Sequence, residues 1–554
     1  MRLPERPTGL GSSMTADWRN PFLADSENPI AHGRCDQQDS TVIDGPLPTG
    51  GSDGQVLGEG DLQYTWLGPG HFGGLISGPY PDGQRTIWSQ GRECIAKLDH
   101  DTFEVLARLD LSHERPDEPV SNRAEWEAGV AGLDLVPGPE DDPNTPVLHA
   151  AELAGRFLTG LDGVYALLDH EHTLYLGRKS GAVAYSETDP SDRYSPLVEK
   201  ARWDKPPEVE GSFVGVNMTP DGRLVLSTDH GWLVSLARDF SNHVAAQLPG
   251  AVEQAAMHCD RMEAERGNTA YGWIRTSICC DDAGGIYVSS VDHTHKVVWT
   301  GDRFSFNEAD GAWSAEYRNG TGVGSGTTPC LMGFGPDEDR FVVIGDGDDV
   351  VNITLLWRDE IPDDWEQLSG APSRRIAGLG PANMGDPDLA AIQTEQSITV
   401  AGSGAMTVNN EPGSRPEWLP ARGARLLCFF LGHHDRFTPY GMHKYEWNSE
   451  TRTFDEAWVA SGVSSPNSVP YVSQGSDTVY TCGTRRGKWT IEAVNWSTGQ
   501  SRGHWVVGDS RFNTLGGGVN IDGDGRIVFG TIFGKTRILA RPETRRPESA
   551  SGSR

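Results

Sequence analysis

Short runs of β-branched and aromatic residues, broken at regular intervals by Asp/Gly clusters, dominate the chain. Val216-Asn-Met-Thr-Pro-Asp-Gly-Arg-Leu-Val-Leu-Ser-Thr-Asp-His-Gly-Trp-Leu-Val-Ser-Leu236 and Val519-Asn-Ile-Asp-Gly-Asp-Gly-Arg-Ile-Val-Phe-Gly-Thr-Ile-Phe-Gly-Lys-Thr-Arg-Ile-Leu539 share one grammar. Each reads strand, Asp-Gly turn, strand, Gly turn, strand, the signature of antiparallel hairpins. The pattern returns at Ile278–Ser290 and Val469–Thr481, and more loosely at Pro81–Trp88, Gly163–Asp169 and Pro336–Gly345. Helical periodicity is scarce, with Arg123–Val130 and Ala251–Glu263 the best candidates. Repeated four-stranded units must bury both faces, and packing them around an axis does so while leaving only short edges. The expected fold is all-β, a single β-propeller of four-stranded antiparallel blades near 57–110, 158–203, 211–247, 273–318, 325–372, 391–460, 465–508 and 514–541. The count is eight, with seven kept open because 111–157 and 373–390 are ambiguous. The last unit shows three strands, so a segment near the amino terminus is expected to supply the fourth. Residues 1–56 are read as an arm and ring-closing segment, 57–541 as the propeller and 542–554 as a tail. Insertions at His113–Asp142 and Glu411–Tyr440 are read as loops at blade ends.

Ile491-Glu-Ala493-Val-Asn495-Trp-Ser-Thr498-Gly499-Gln-Ser-Arg-Gly-His-Trp505 resembles the tryptophan-docking strand of quinoprotein-type, PQQ-like propellers. In that family the pattern is A-x-D-x-x-T-G-x-x-x-W; here Asn495 replaces the Asp and Trp505 stands two residues late. Ala96-Lys-Leu-Asp99-His-Asp-Thr102 is a second echo. The chain is also similar to a group of actinobacterial propeller proteins of unknown activity that share its amino-terminal block and the Gly324-Ser-Gly-Thr-Thr-Pro329 segment. The resemblance implies the fold. The quinone chemistry of the family, with calcium held by an acid and an Asn and often a vicinal disulfide, is not expected to carry over. No export signal is read at the start, and Cys279-Cys280 is the one vicinal pair.

Composition narrows the partners. Lys+Arg number 47 against 78 Asp+Glu, a formal net charge of −31, which disfavours nucleic acid and anionic membrane surfaces because either selects a basic face. With no apolar stretch long enough to span a bilayer, the expectation is a cytoplasmic protein. Met14 is an alternative start. The eight cysteines form no C-x-x-C, so zinc-ribbon and thioredoxin-like readings lack their signature, and Cys279-Cys280 are expected as buried free thiols. No nucleophile elbow, phosphate loop or Rossmann fingerprint is present.

In a propeller all blades converge only at the axial mouth, so polar residues preceding the innermost strands are the site candidates. These are His71, Asn217, Arg275 with Thr276, Thr327, Thr328, Glu395 with Gln396, Asn467, and Asn513 with Asn520. A second cluster, Asn20 to Ser40, packs no strand pattern yet concentrates Asp25, His32, Gln38 and Asp39. A carboxylate can orient a histidine for proton transfer near neutrality, so Asp25, His32 and Asp39 form a candidate acid/base set. His170/His172, His293/His295 and His433/His434 invite a metal reading, as do the acidic turns Gly345–Asp349 and Asp522–Asp524. The H-x-H pieces are placed in hairpin turns, and a divalent metal is retained only as an alternative to a cofactor-free site.

The sequence therefore points to a propeller enzyme that acts on a small organic molecule in an axial pocket, as hydrolase, lyase or isomerase. His32, His71, Arg275 and Glu395 are assigned to catalysis, and Asp25, Gln38, Asn217, Thr327, Thr328 and Asn467 to substrate binding. The alternatives are a non-catalytic propeller that binds a protein or small ligand and, behind it, a PQQ- or metal-dependent oxidoreductase.

Overall fold

A computed structural model describes residues 18–542 apart from 115–116, 118–119, 121, 139, 158–163, 267–270, 337, 393 and 420–423. The alternative start at Met14 and the tail beyond Pro542 lie outside the described residues.

Eight sheets follow one another along the chain, antiparallel except that Ser40–Thr41 and Gln55–Val56 add parallel edge strands to the seventh. Their first strands are Leu75–Ile76, Ala166–Leu168, Phe213–Met218, Cys279–Cys280, Cys330–Met332, Thr399–Ala401, Tyr471–Ser473 and Val519–Ile521. Neighbouring first strands touch one another, which puts them on the axis. The sequence-derived blades fall on these eight sheets with one correction: the ring-closing strand lies not in residues 1–56 but within 57–110, so blade 1 begins only at Leu75. In blade 8 three strands come from the carboxy-terminal region and the fourth is Leu62–Trp66, paired antiparallel with Gly534–Ile538. The seam with blade 1 is held by Lys535 Nζ, 2.8 Å from the His71 carbonyl, and by Arg537, which donates to the His100 carbonyl.

Several of the repeated turns share one cause, while in the turn at Asp221-Gly222 the Thr219 hydroxyl takes the acceptor's place. Asp169 accepts from the backbone N–H groups of Glu171 and Thr173, Asp281 from Ala283 and Gly285, and Asp522 from Asp524 and Arg526, all at 2.7–3.0 Å. A short acceptor at the head of the hairpin satisfies the two donors that the turn leaves unpaired. Asn495 does the same in the tryptophan-docking motif: its Oδ1 accepts from Thr498 N and Oγ1 at 2.8 Å each, as Asp99 accepts from Asp101 and Thr102. Trp505 is fully buried against Tyr480. Between blades the core is aromatic; Phe341, Trp357, Trp365 and Trp447 pack edge to face across blades 5 and 6.

Among the described residues four α-helices break the pattern: α1 (Arg123–Leu133), α2 (Thr145–Phe157), α3 (Ala251–Arg266) and α4 (Ala424–Leu431). α1 and α3 match the sequence candidates. α1 and α4 correct the expectation that the insertions His113–Asp142 and Glu411–Tyr440 are loops, and α2 falls in the remainder of the ambiguous stretch 111–157. Val147, Ala150, Leu153 and Phe157 make one apolar stripe on α2, buried together with Leu427, Phe430 and Leu431 of α4. All four helices lie in connections at the mouth where the first strands begin.

Residues 20–41 line the axis and hydrogen-bond to the first strand of every blade. Asn28 O accepts from Ile76 N (blade 1), Pro29 O from Leu168 N (blade 2), Cys35 O from Asn217 Nδ2 and Cys280 N (blades 3 and 4). Asp36 O then accepts from Leu331 N, Gln38 O from Val400 N and Asp39 O from Val472 N, in blades 5, 6 and 7. Asn28 Nδ2 donates to Ile521 O of blade 8. A curl this tight requires left-handed backbone, and His32, Gln37 and Asp39 have φ of 65°, 59° and 55°. Their conformation thus has a structural reason in the fold itself.

Candidate functional site

The curl determines where the acid/base candidates go. His32 Nδ1 lies 2.9 Å from Asp39 Oδ2, both side chains being nearly buried, and the imidazole stacks on Tyr165 at 5.9 Å between ring centres. Burial raises the Asp39 pKa, and the charge and hydrogen bond of His32 oppose that rise. His32 Nε2 has no hydrogen-bond partner among the described residues. Tyr165 OH lies 3.5 Å from Thr328 Oγ1, and Thr328 N donates to Ser397 Oγ. The histidine is thereby linked to the mouth where the first strands of blades 2, 5 and 6 begin.

At that mouth Arg275 reaches across the opening of blade 5 to grip Glu395 with Nη2, 2.9 and 2.8 Å from the two carboxylate oxygens. Its Nη1 donates to the carbonyls of Val323 and Gly324, and its guanidinium lies over Tyr271. Glu395 N donates to Asn410 Oδ1, whose Nδ2 donates to the carbonyls of Ser465 and Pro466. The Gly324-Ser-Gly326 segment passes beneath this pair. A Cβ on Gly326 would stand 2.5 Å from the Thr394 carbonyl and 3.1 Å from Glu395 Oε2. Three polar atoms here are buried without a partner among the described residues: Arg275 Nε, Thr276 Oγ1 and Gln396 Nε2. Such groups cost free energy when buried unpaired and are met in native proteins by water or ligand.

The other sequence-derived residues go elsewhere. His71 is fully buried with Nδ1 2.8 Å from Ser89 Oγ and Nε2 3.4 Å from Cys94 Sγ; burial first, and the Lys535 charge next, hold its pKa well below the ordinary range. Asn217 clips the axial segment to blade 4, donating to the carbonyls of Cys35 and Ile278. Asn467 donates to Phe429 O of α4 and to Asn513, and Thr327 Oγ1 accepts from Gly345 N. Gln38 donates to Leu331 O and accepts from Arg34, which fixes the curl. Asp25 is exposed at the opposite end, beside a cavity of about 520 Å³ between blades 1 and 8. The residue that the sequence missed is Tyr165. It directly precedes the first strand of blade 2, the positional rule that selected Arg275 and Thr328.

None of the metal readings assembles a site from the residues that suggested it. His293 and His295 stand on the strand His293–Trp299 rather than in a turn, and His295 is enclosed by the Ser290 and Ser314 hydroxyls. Asp346 binds Asn352 through backbone and side chain. His100, Asp101 and Asp524 do converge, but the Arg526 guanidinium lies among them, 2.7 Å from Asp524 Oδ2. Nor do the residues fit a quinone: Cys279 and Cys280 are buried free thiols in the first strand of blade 4, and Cys35 to Asp39 fill the axis beside them.

An eight-bladed propeller with its own amino-terminal segment threaded along the axis is thus the class that fold and site define. The chain belongs to the family of an uncharacterised protein from Archaeoglobus fulgidus, with which it shares 32% identity over 391 residues, 68% of this chain and 70% of the relative. No family model matches. Among solved structures it is similar to the quinohemoprotein alcohol dehydrogenase of Comamonas testosteroni, with a TM-score of 0.50 and 10% identity over 97% of this chain and 83% of that one. BamB from Moraxella catarrhalis is a more distant likeness, with a TM-score of 0.36 and 10% identity over 66% of this chain and 93% of that one. At these identities the likeness shows fold alone. No helix among the described residues is long and apolar enough to cross a membrane.

Proposed function

We propose that this propeller is an enzyme that transforms a small organic molecule in its axial channel by general acid/base catalysis. The observation that carries the reading is the nearly buried His32–Asp39 pair on the axial segment, with Nε2 unengaged among the described residues. In this reading His32 takes a proton from substrate or from water at Nε2, while Asp39 fixes the tautomer at Nδ1 and stabilises the imidazolium. Arg275 Nε, Thr276 Oγ1 and Gln396 Nε2 supply donors toward oxygen charge that develops on the substrate. Glu395 acts by positioning Arg275, and Thr328 by placing Tyr165 against the imidazole. Hydrolysis, elimination and isomerisation all begin with such a proton transfer. The same set leaves His71, Asn217, Thr327, Asn467 and Asp25 without a chemical role.

Asn tolerates the left-handed region better than other side chains, so His32→Asn removes the base and spares the curl. Ligands are first found by thermal-shift screening of the wild type against small metabolites, and turnover of the binders is followed by NMR. His32→Asn is expected to keep binding and lose turnover by about 10²–10⁴-fold; unchanged turnover overturns the assignment. Binding without turnover in the wild type would instead select the non-catalytic propeller, a reading favoured by the extent to which the chain fills its own axis.

A further inference from the structure

A second cavity, of about 420 Å³, lies over blade 4 at the mouth that carries the helices. It adjoins the axial site, since Arg261 donates to the Gly322 carbonyl next to the Val323 and Gly324 carbonyls that accept from Arg275. α3 supplies one wall from Gln254, Met257, His258 and Arg261, positions that recur on one face of a helix. Trp273 and Val291 supply the opposite wall. Met257 stands 66% exposed beside it, whereas the core-facing stripe of α3 is the separate set Ala251, Ala255 and Met262.

Two nitrogen atoms at this cavity are buried and unpaired among the described residues, His258 Nε2 and Trp273 Nε1, on side chains of residues 6% and 2% exposed. Their protonation follows from their neighbours. Arg261 Nη2 lies 3.4 Å from His258 Nδ1, and a guanidinium only donates, so Nδ1 is the acceptor and Nε2 carries the hydrogen of a neutral ring. Burial, followed by the Arg261 charge, pushes the His258 pKa down to about 4, in keeping with that neutral form. An indole nitrogen likewise only donates. The cavity therefore offers the His258 and Trp273 N–H groups between Met257 and Val291, with Asp292 and Asn319 also in its lining and the Tyr271 carbonyl close to the His258 ring. Buried N–H groups left unmade are costly, and an acceptor oxygen on an apolar body relieves both while covering the exposed methionine.

We infer that this cavity is a binding site for an apolar small molecule bearing a carbonyl or carboxylate oxygen, which accepts from His258 Nε2–H and Trp273 Nε1–H.

The test uses the full chain labelled with methyl-¹³C methionine, with the Met257 signal assigned through Met257→Leu. Benzamide offers an acceptor on an apolar ring, benzoate a charged one, and toluene none. Benzamide or benzoate is expected to shift the Met257 methyl saturably, more tightly than toluene, and the tighter of the two assigns the oxygen as carbonyl or carboxylate. Trp273→Phe keeps the ring and is expected to weaken that probe by about three- to tenfold. His258→Gln, which retains an N–H, is expected to bind better than His258→Leu. Toluene binding as tightly as benzamide and benzoate, affinity unchanged in both Trp273→Phe and His258→Leu, or no saturable shift because the donors hold water alone would each overturn the proposal.

Discussion

Histidines in this protein earn different fates from their surroundings. His258 and His295 are buried and neutral, with burial driving their pKa values down to about 4 and about 3 from 6.5. The unfolded chain binds more protons than the folded one between those values and 6.5. Their contribution is therefore complete above pH 6.5 and falls as pH drops toward 4 and 3. His295→Gln is expected to flatten the loss, so urea unfolding at pH ~7 and ~5 should show a smaller difference in the variant than in the wild type. Lys535 shows the same sign at the alkaline end. Burial lowers its pKa from 10.5 to about 7, so stability rises with pH between the two values, and Lys535→Met is expected to remove that rise. Gly326 is a steric case. Gly326→Ala would push against the Thr394 carbonyl and Glu395 and is expected to cost about 1–3 kcal/mol while loosening the grip of Arg275; equal denaturation midpoints would sink that account.

At the scale of elements, two pieces of the amino-terminal region do different work. The axial segment satisfies backbone groups of all eight first strands, whereas Leu62–Trp66 joins the two ends of the ring. A chain that starts after Asp44 loses only the first contribution, and one that starts after Trp66 loses both. Thermal unfolding with limited proteolysis is expected to show two downward steps in stability, with proteolysis at the seam of blades 8 and 1 appearing only after the second. A single step at either cut would show that one piece carries the whole effect. The strands were legible because the hairpins repeat their apolar alternation around short polar turns, most with an Asp or Asn acceptor and others with Thr219 or Glu338 in that place. α2 and α4 were not, since their apolar faces pack on each other, as Leu153 and Phe157 do with Leu427 and Leu431, and no local pattern announces such a partner.

For the whole molecule, 78 acidic against 47 basic side chains leave a net charge of −31. Mutual repulsion of that size disfavours a compact body and is screened by salt. Melting temperature is expected to rise between ~0.02 M and ~0.5 M NaCl, as followed by calorimetry; a flat profile would mean that the charges are already compensated by local pairs such as Arg193 with Asp82 and Arg202 with Glu199. Global arrangement also limits what the sequence discloses about the site. The positional rule found Arg275, Glu395 and Thr328. It also selected His71 and Asn467, whose side chains are consumed by Ser89, Cys94 and Phe429, partners brought near only by the ring. The pairing of His32 with Asp39 rather than Asp25 came from the curl, whose geometry depends on all eight blades at once.

That dependence has a consequence for how the protein is made. Asn28 meets Ile521 across 493 positions of chain and Tyr471 across 443. On the ribosome the residues destined for the axis emerge well before their final neighbours in blades 7 and 8. The polar, strand-poor stretch around His32 must therefore wait without its native bonds. A nascent chain halted before blade 8 would hold most of its blades and none of its completed centre.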